Sequence, residues 1–259
     1  MKIVSVSKRA FSLVELSISC ALLGILLVVL ASALHSSQNL WRQTAGNTDS
    51  KEQIRRAQVS LERDMQLASS AFGIRTVGPT QGPGFDGDAF WFLTPEIGAS
   101  GELARKFNGS PLYQRNLLYY LVKPVGDPCA GGALANGYDD RCPHKILVRK
   151  VIDFGAATTP TNEPSEEQLM TPAEVAPYLT RPTGMSVASM NSEAGVKLVS
   201  QAARQLLYFR VLSNPPPLQF EIRATNLLRV NKELQVGTAS LYNSGLTSEI
   251  RLTLAPPNP

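Results

Sequence analysis

An uncharged apolar segment near the amino terminus constrains the fold of this 259-residue chain more than any other feature. The segment runs from Leu16 to Leu34 and contains no Asp, Glu, Lys or Arg. As an α-helix it would be about 28 Å long, which is close to the thickness of the hydrocarbon core of a bilayer. The segment therefore predicts a single membrane-spanning helix.

The charges that flank this segment predict its orientation. Lys2, Lys8 and Arg9 precede it, whereas Arg42 is the one Lys or Arg among residues 35–50. Basic residues concentrate on the cytoplasmic side, so we expect a cytoplasmic amino terminus and an exported remainder. The same three residues supply three of the four excess positive charges of the chain. The remainder has no basic stripe of the kind that binds nucleic acid, so no such partner is expected.

Three interpretations of the apolar segment compete: a cleaved secretory signal, an ordinary membrane anchor and a prepilin leader. Ala31-Ser32-Ala33 satisfies the small-x-small rule for signal cleavage, but the apolar region exceeds the roughly 7–15 residues of a signal peptide. Neither a signal nor an anchor accounts for Glu15, because a carboxylate in an otherwise apolar segment is costly and usually has a functional partner.

The residues from Lys8 to Leu16, KRAFSLVEL, closely resemble the prepilin cleavage and methylation motif of the type IV filament superfamily. In that family a prepilin peptidase cuts before the phenylalanine, methylates the new amine and leaves a glutamate as the fifth mature residue. The resemblance implies cleavage between Ala10 and Phe11, N-methylation of Phe11 and an assembly role for Glu15. Alanine replaces the usual glycine at Ala10, a departure that bears on the efficiency of cleavage.

The sequence predicts that the helix continues well beyond a membrane. The first proline is Pro79, and apolar residues recur at spacings of three and four after the apolar segment. This stripe consists of Ile54, Ala57, Leu61, Met65, Ala68 and Phe72. With Gly73 as the C-terminal cap, we predict a leader at residues 1–10, a transmembrane half-helix at 11–34 and an amphipathic half-helix at 35–72.

Short apolar segments predict a β-rich head at residues 73–254, followed by a tail at 255–259. Their β-branched and aromatic residues favour strands. The predicted strands are Ala89–Thr94, Asn116–Lys123, Lys145–Ile152, Gln205–Leu212, Leu218–Arg223 and Ser248–Leu254. An antiparallel sheet packed on one long helix is the simplest arrangement, so we predict an α+β, pilin-like fold.

Two regions of the head have further features. Residues 117–122 (LLYYLV) and 145–151 (KILVRKV) resemble the central hairpin of J-type and W-type minor pilins, in which a tyrosine-rich strand precedes a Leu-x-Arg strand. Residues from about 153 to 203 are polar and interrupted by prolines, which predicts an insertion. Within it, the spacing from Thr171 to Glu174 matches a capping box and predicts a short helix.

Two of the three cysteines are expected to pair. Cys129 and Cys142 flank a stretch rich in Gly, Asn and Asp, whereas Cys20 lies in the apolar segment. A disulfide between Cys129 and Cys142 in an exported domain would stabilise the fold by about 3 kcal/mol. Free thiols or half of a zinc site are the alternatives, and His144 is the one further soft ligand nearby. We expect no bound metal.

The sequence contains no motif that carries enzymatic chemistry. Its two histidines, His35 and His144, have no triad around them, and there is no G-x-S-x-G, phosphate loop or H-E-x-x-H. Asp86-Gly87-Asp88 and Asp139-Asp140 are too short to define a calcium loop. We therefore expect a protein that is not an enzyme and has no cofactor.

The resemblance implies a structural subunit, either a minor pilin or a pseudopilin of a type IV pilus or a type II secretion-like filament. Its partners would be the prepilin peptidase, other pilin or pseudopilin subunits and an inner-membrane assembly platform. It would cross the bacterial inner membrane once and present a periplasmic or extracellular head. The alternatives are an exported binding protein that is anchored in the membrane without polymerising, and an enzyme anchored by an uncleaved helix.

Overall fold

A computed structural model describes residues 12–79, 87–97, 101–126, 142–154, 167–213, 217–225 and 247–257. The chain divides into two compact units, Met1–Thr44 and Ala45–Pro259. Helix α1, Leu13–Met65, contributes residues to both units. The rest of the second unit is dominated by a seven-stranded antiparallel sheet. The predicted α+β fold is therefore confirmed.

Helix α1 ends at Met65, earlier than the predicted end at Phe72. The backbone tightens there, because the Leu67 and Ala68 amides donate to the carbonyls three residues before them rather than four. The Ser69 hydroxyl then accepts a hydrogen bond from the Ala71 amide at 3.2 Å, which competes with further helical bonding. The helix therefore stops about two turns before the residue that the apolar stripe indicated.

The sheet is a meander in which each strand pairs antiparallel with the next one along the chain. Its strands are β1 Ile74–Val77, β2 Ala89–Thr94, β3 Arg115–Val122, β4 Lys145–Ile152, β5 Val196–Ser213, β6 Leu218–Thr225 and β7 Thr247–Leu254. All six predicted strands are present. Strand β1 was not predicted, because it has only four residues and lies within a turn-rich connection.

Strand β5 is much longer than predicted, since it begins at Val196 rather than at Gln205. Its first half pairs with β4, its second half pairs with β6, and the change occurs around Leu206, which pairs with both. At this point Gln205 has a positive φ of 60°. An irregular residue of this kind interrupts the hydrogen-bond ladder between strands and bends the strand. The first half of β5 shows no two-residue alternation of buried positions, so the sequence pattern did not reveal that the strand begins at Val196.

The sheet is covered on both faces. On one face, Ile54, Ala57, Leu61 and Met65 of α1 pack in one hydrophobic cluster with strand residues such as Phe90. These four helix residues and Ala68 are buried, as the apolar stripe predicted, and Phe72 is partly buried. Stacked aromatic rings fill the centre of this cluster, with Phe90 and Tyr119 at 5.3 Å between centroids. Burial of this stripe holds the second part of α1 against the sheet.

The other face is covered by the described part of the polar region that we predicted as an insertion. Met170, Val175, Leu179 and Met190 pack against strand residues including Trp91 in a second hydrophobic cluster. They lie on or near helix α2, Pro172–Val175, and the 3-10 turns Ala176–Tyr178 and Ala188–Ser192. The region is therefore a second covering layer for the sheet, and its last eight residues, 196–203, belong to β5.

The predicted capping box at the start of α2 is confirmed. The Thr171 hydroxyl accepts a hydrogen bond from the Glu174 amide, and the Glu174 carboxylate accepts one from the Thr171 amide at 2.7 Å. Nearby, the indole N–H of Trp91 donates to the Met170 carbonyl oxygen at 2.8 Å. The Asn116 side chain also accepts from the Met170 amide, so backbone polar groups of the second layer are satisfied by the sheet that it covers.

Candidate functional site: the N-terminal helix and its anchorage

The first part of α1 presents an apolar surface with no covering layer among the residues that the structure describes. Every residue from Ser12 to Arg42 is exposed, including Leu26 at 63% and Trp41 at 70%. The most apolar window of the helix has a mean hydropathy of 2.6 and is 0% buried. Within the described ranges, this is the one helix that is long and apolar enough to span a membrane. Water is an unfavourable environment for such a surface, which must be covered by lipid or by other helices.

Glu15 lies in the first turn of this helix and helps to start it. The Ser12 amide donates to Glu15 Oε2 at 3.0 Å, and the Glu15 amide donates to Ser12 Oγ at 3.2 Å. This reciprocal pair is a capping box, which satisfies two backbone N–H groups that the start of a helix leaves without partners. The S-x-x-E spacing of Ser12 and Glu15 is a signal that the sequence interpretation did not use.

The remaining residues predicted for processing and pairing are only partly within the described ranges. Ala10, Phe11 and Cys129 lie outside them, so the cleavage site and the pairing of Cys129 remain predictions. Cys142 is fully buried and takes part in a disulfide, whereas Cys20 is a free, exposed cysteine on α1. Among the described residues, no group of three or more His, Cys, Asp or Glu side chains could hold a metal ion.

A buried ion pair anchors the last turn of α1 to the sheet. Asp64 Oδ2 accepts hydrogen bonds from Arg149 Nε of β4 at 2.5 Å and from the Tyr119 hydroxyl of β3 at 2.6 Å. Arg149 also pairs with Glu96, just after β2. The side chains of Asp64 and Arg149 are only 1% and 3% exposed. The helix end is therefore joined to β3 and β4 through buried polar groups, and Glu96 gives Arg149 a second buried carboxylate partner.

The pKa values of these groups show that the pair is held in its ionised form. Burial raises the pKa of the Asp64 carboxyl, but hydrogen bonds from Arg149 and Arg63 outweigh it, so the pKa lies below its ordinary value. Burial lowers the pKa of the Arg149 guanidinium, and the Asp64 hydrogen bond and charge raise it above its ordinary value. Burial also raises the pKa of Tyr119, which keeps its hydroxyl protonated as a donor to Asp64.

The next residue of β4, Lys150, anchors the second layer in the same way. Adjacent strand residues face opposite sides of a sheet, so Lys150 points away from α1. Its ammonium group donates to the Tyr178 carbonyl oxygen at 2.7 Å, to the Thr180 hydroxyl at 2.8 Å and to Glu193 at 2.6 Å. Burial lowers the pKa of Lys150, and Glu193 acts in the opposite direction. Strand β4 therefore carries two neighbouring buried cations, one for each covering layer.

The sequence interpretation identified the strand that contains Arg149 but not its role. Tyr119 and Arg149 are directly opposite each other on β3 and β4, within the two segments whose similarity to minor pilins was noted. Both contact Asp64, which lies 85 positions before Arg149 in the sequence and outside the predicted apolar stripe. The Tyr-rich strand and the Leu-x-Arg strand thus supply the two side chains that hold the end of α1.

Comparisons with protein-family models, with curated proteins and with solved structures found no match to this chain. The long apolar N-terminal helix followed by an antiparallel sheet is compatible with a pilin-like fold.

Proposed function

We propose that this chain is a pilin-like structural subunit, a minor pilin or pseudopilin that enters a filament through its N-terminal helix. The observation that carries the proposal is the exposed apolar surface of α1, from Leu13 onward, with Glu15 in its first turn. Before assembly, lipid covers this surface in the inner membrane. In the filament, the apolar helices of neighbouring subunits cover it instead, and no catalytic step by this chain is needed.

The carboxylate of Glu15 has a second role in this proposal. Cleavage before Phe11 creates a positively charged amine four residues before Glu15, which lies on the same face of the helix. In a filament, Glu15 of an arriving subunit pairs with the terminal amine of a neighbour, offsets the cost of burying both charges and sets the axial register. Prepilin peptidase, other prepilin-derived subunits and an inner-membrane assembly platform are the partners that this mechanism requires.

A membrane-anchored exported protein that does not polymerise is the second candidate. The observation that favours it is the capping box, because it gives Glu15 a partner within its own helix. In this alternative, Glu15 caps the start of the helix and the apolar surface contacts only lipid. KRAFSLVEL then resembles a prepilin motif but is not cleaved.

Mass spectrometry of the amino terminus distinguishes the two candidates. We expect a mature protein that begins at Phe11 with a methylated amine when the chain is made in cells that contain a prepilin peptidase. Cells without the peptidase provide the control, in which residues 1–10 are retained. Ala10→Gly, which restores the usual residue before the cut, should be cleaved at least as completely. A protein that begins at Leu34, or that keeps residues 1–10 in both cell types, would exclude the filament proposal.

A further inference from the structure

The described helix carries an exposed aromatic and basic pair just beyond its apolar segment. Trp41 is 70% exposed, Leu40 is 65% exposed, and Arg42 beside them is also exposed. An exposed tryptophan contributes nothing to a hydrophobic core, and tryptophan is enriched where membrane helices cross the boundary between lipid and water. Whether the boundary between lipid and water lies near Trp41 and Arg42 depends on their distance along the helix from the apolar segment.

Distances along α1 place Trp41 near the outer edge of a bilayer. The segment Leu16–Leu34 is about 28 Å long, so it fills a hydrocarbon core of about 30 Å and leaves Leu34 at its outer limit. Trp41 follows seven residues later, about 10 Å further along the axis. The polar layer on each side of a bilayer is about 5–8 Å thick. The Trp41 backbone therefore lies a few ångströms beyond the outer edge of that layer.

The direction of helical side chains brings the indole back into the polar layer. Side chains on an α-helix tilt toward its amino terminus, which for a helix with a cytoplasmic start is the direction of the membrane. At 100° per residue, Trp41 lies within about 20° of both Leu34 and Leu30 on the helix surface. The indole thus lies on the same side of the helix as these two leucines, which are inside the bilayer.

The residues around Trp41 fit a lipid headgroup layer. Residues 35–39, His-Ser-Ser-Gln-Asn, are polar and contain no Asp, Glu, Lys or Arg, as expected for a segment that crosses a polar but crowded region. Arg42 supplies a guanidinium group beside the indole, and its charge is complementary to lipid phosphates. No acidic residue lies between Leu16 and Thr48 to oppose that attraction.

We propose that Trp41 and Arg42 form an interfacial anchor that binds the outer headgroup layer of the membrane and fixes the depth of α1. The indole lies among the headgroups and carbonyl groups of the lipids, and the guanidinium contacts their phosphates. This inference rests on the proposed function, because it requires that Leu16–Leu34 span the membrane. It goes beyond that proposal by defining where the membrane ends on the helix before the subunit is assembled.

Tryptophan fluorescence of the full chain in vesicles tests the anchor. The chain has two tryptophans, and Trp91 is fully buried in the head, so subtracting the spectrum of Trp41→Phe from that of the wild type isolates the emission of Trp41. The vesicles contain phosphatidylcholine and phosphatidylglycerol, with a fraction of lipids brominated either near the carbonyl groups or near the chain ends. We expect the shallow bromines to quench Trp41 several-fold more strongly than the deep ones.

A second reporter on the same helix face serves as the matched control. In the variant Leu30→Trp with Trp41→Phe, the indole lies eleven residues closer to the amino terminus and should be quenched more strongly by the deep bromines. If that reporter is not quenched from within the bilayer, membrane spanning fails, and the proposed function fails with it. If the deep bromines quench that reporter while neither brominated lipid quenches Trp41, only the anchor is overturned. Quenching of Trp41 that changes with the protein-to-lipid ratio would also overturn it, because the indole would then contact another copy.

Discussion

Replacing Arg149 with methionine is expected to destabilise the head by about 3–5 kcal/mol, because it leaves a buried carboxylate without its buried cation. Asp64 is 1% exposed and, among the described residues, would keep the Tyr119 hydroxyl and the exposed Arg63 as its donors. Glu96 would lose the same guanidinium. Methionine preserves most of the length and packing of the side chain, so the loss reports on the charge rather than on a cavity. Urea denaturation of the full chain in detergent micelles, followed by the fluorescence of buried Trp91, measures the change.

A surface arginine provides the matched control for this substitution. Arg251 pairs with Glu221 but is 71% exposed, so Arg251→Met should leave the free energy of unfolding almost unchanged. The double variant Asp64→Asn with Arg149→Met should recover part of the loss, because it removes the carboxylate that lost its buried cation. Equal effects of Arg149→Met and Arg251→Met would contradict the idea that the buried pair anchors α1.

The same pair predicts a dependence on pH. Because hydrogen bonds from Arg149 and Arg63 overcome the effect of burial and lower the pKa of Asp64, its ionised form stabilises the fold at neutral pH. That contribution is lost as the pH falls from the ordinary Asp pKa through the lowered value in the folded state. In Arg149→Met, only Arg63 and Tyr119 still offset the effect of burial on Asp64, so protonation of Asp64 relieves part of the cost of its buried charge. The difference in stability between wild type and variant should therefore narrow toward acid pH.

Removing the charge of Glu15 should have the largest effect on assembly. Glu15→Gln keeps the capping box, since glutamine fills the same position, but it removes the partner for the terminal amine of a neighbouring subunit. Breaking a buried charge pair costs about 3–5 kcal/mol, and each 1.4 kcal/mol is a factor of ten, so we expect at least a tenfold loss of incorporation. Co-purification with other subunits, in cells where the variant accumulates normally, measures that loss.

Ser12→Ala separates the two roles of Glu15. It removes the hydroxyl that accepts a hydrogen bond from the Glu15 amide, yet it leaves the carboxylate in place. The variant should enter the assembly as well as the wild type. Equal losses of incorporation for Ser12→Ala and Glu15→Gln would show that assembly depends on capping of the helix rather than on the charge of Glu15. Undiminished incorporation of Glu15→Gln would contradict the proposed contact between Glu15 and the terminal amine of a neighbouring subunit.

Local patterns in the sequence were sufficient to predict most elements of the fold. The spacing of Ile54, Ala57, Leu61 and Met65 identified the buried side of α1, and short apolar runs identified six strands. The capping box at Thr171 identified the start of α2. Each of these signals depends on residues within a few positions of one another, and tertiary contacts did not override them.

Long-range contacts account for what the sequence did not reveal. Arg149 and Lys150 look like solvent-facing residues in KILVRKVI, but both are buried, because the sheet is covered on two faces. Their acidic partners, Asp64 and Glu193, lie 85 and 43 positions away, too far for any spacing rule to connect them. The polarity of the second layer concealed its few buried apolar residues, so it was predicted as an insertion.

Photo-cross-linking from the apolar surface of α1 tests most directly whether this chain polymerises through its helix. A photoactivatable amino acid at Leu26, which is 63% exposed, would report what covers this surface in intact cells. We predict adducts with the N-terminal helices of other pilin-like subunits when prepilin peptidase and the assembly platform are present, and with lipid alone when the peptidase is absent. Adducts with lipid alone from a correctly processed protein, in cells that assemble filaments, would contradict the proposed function.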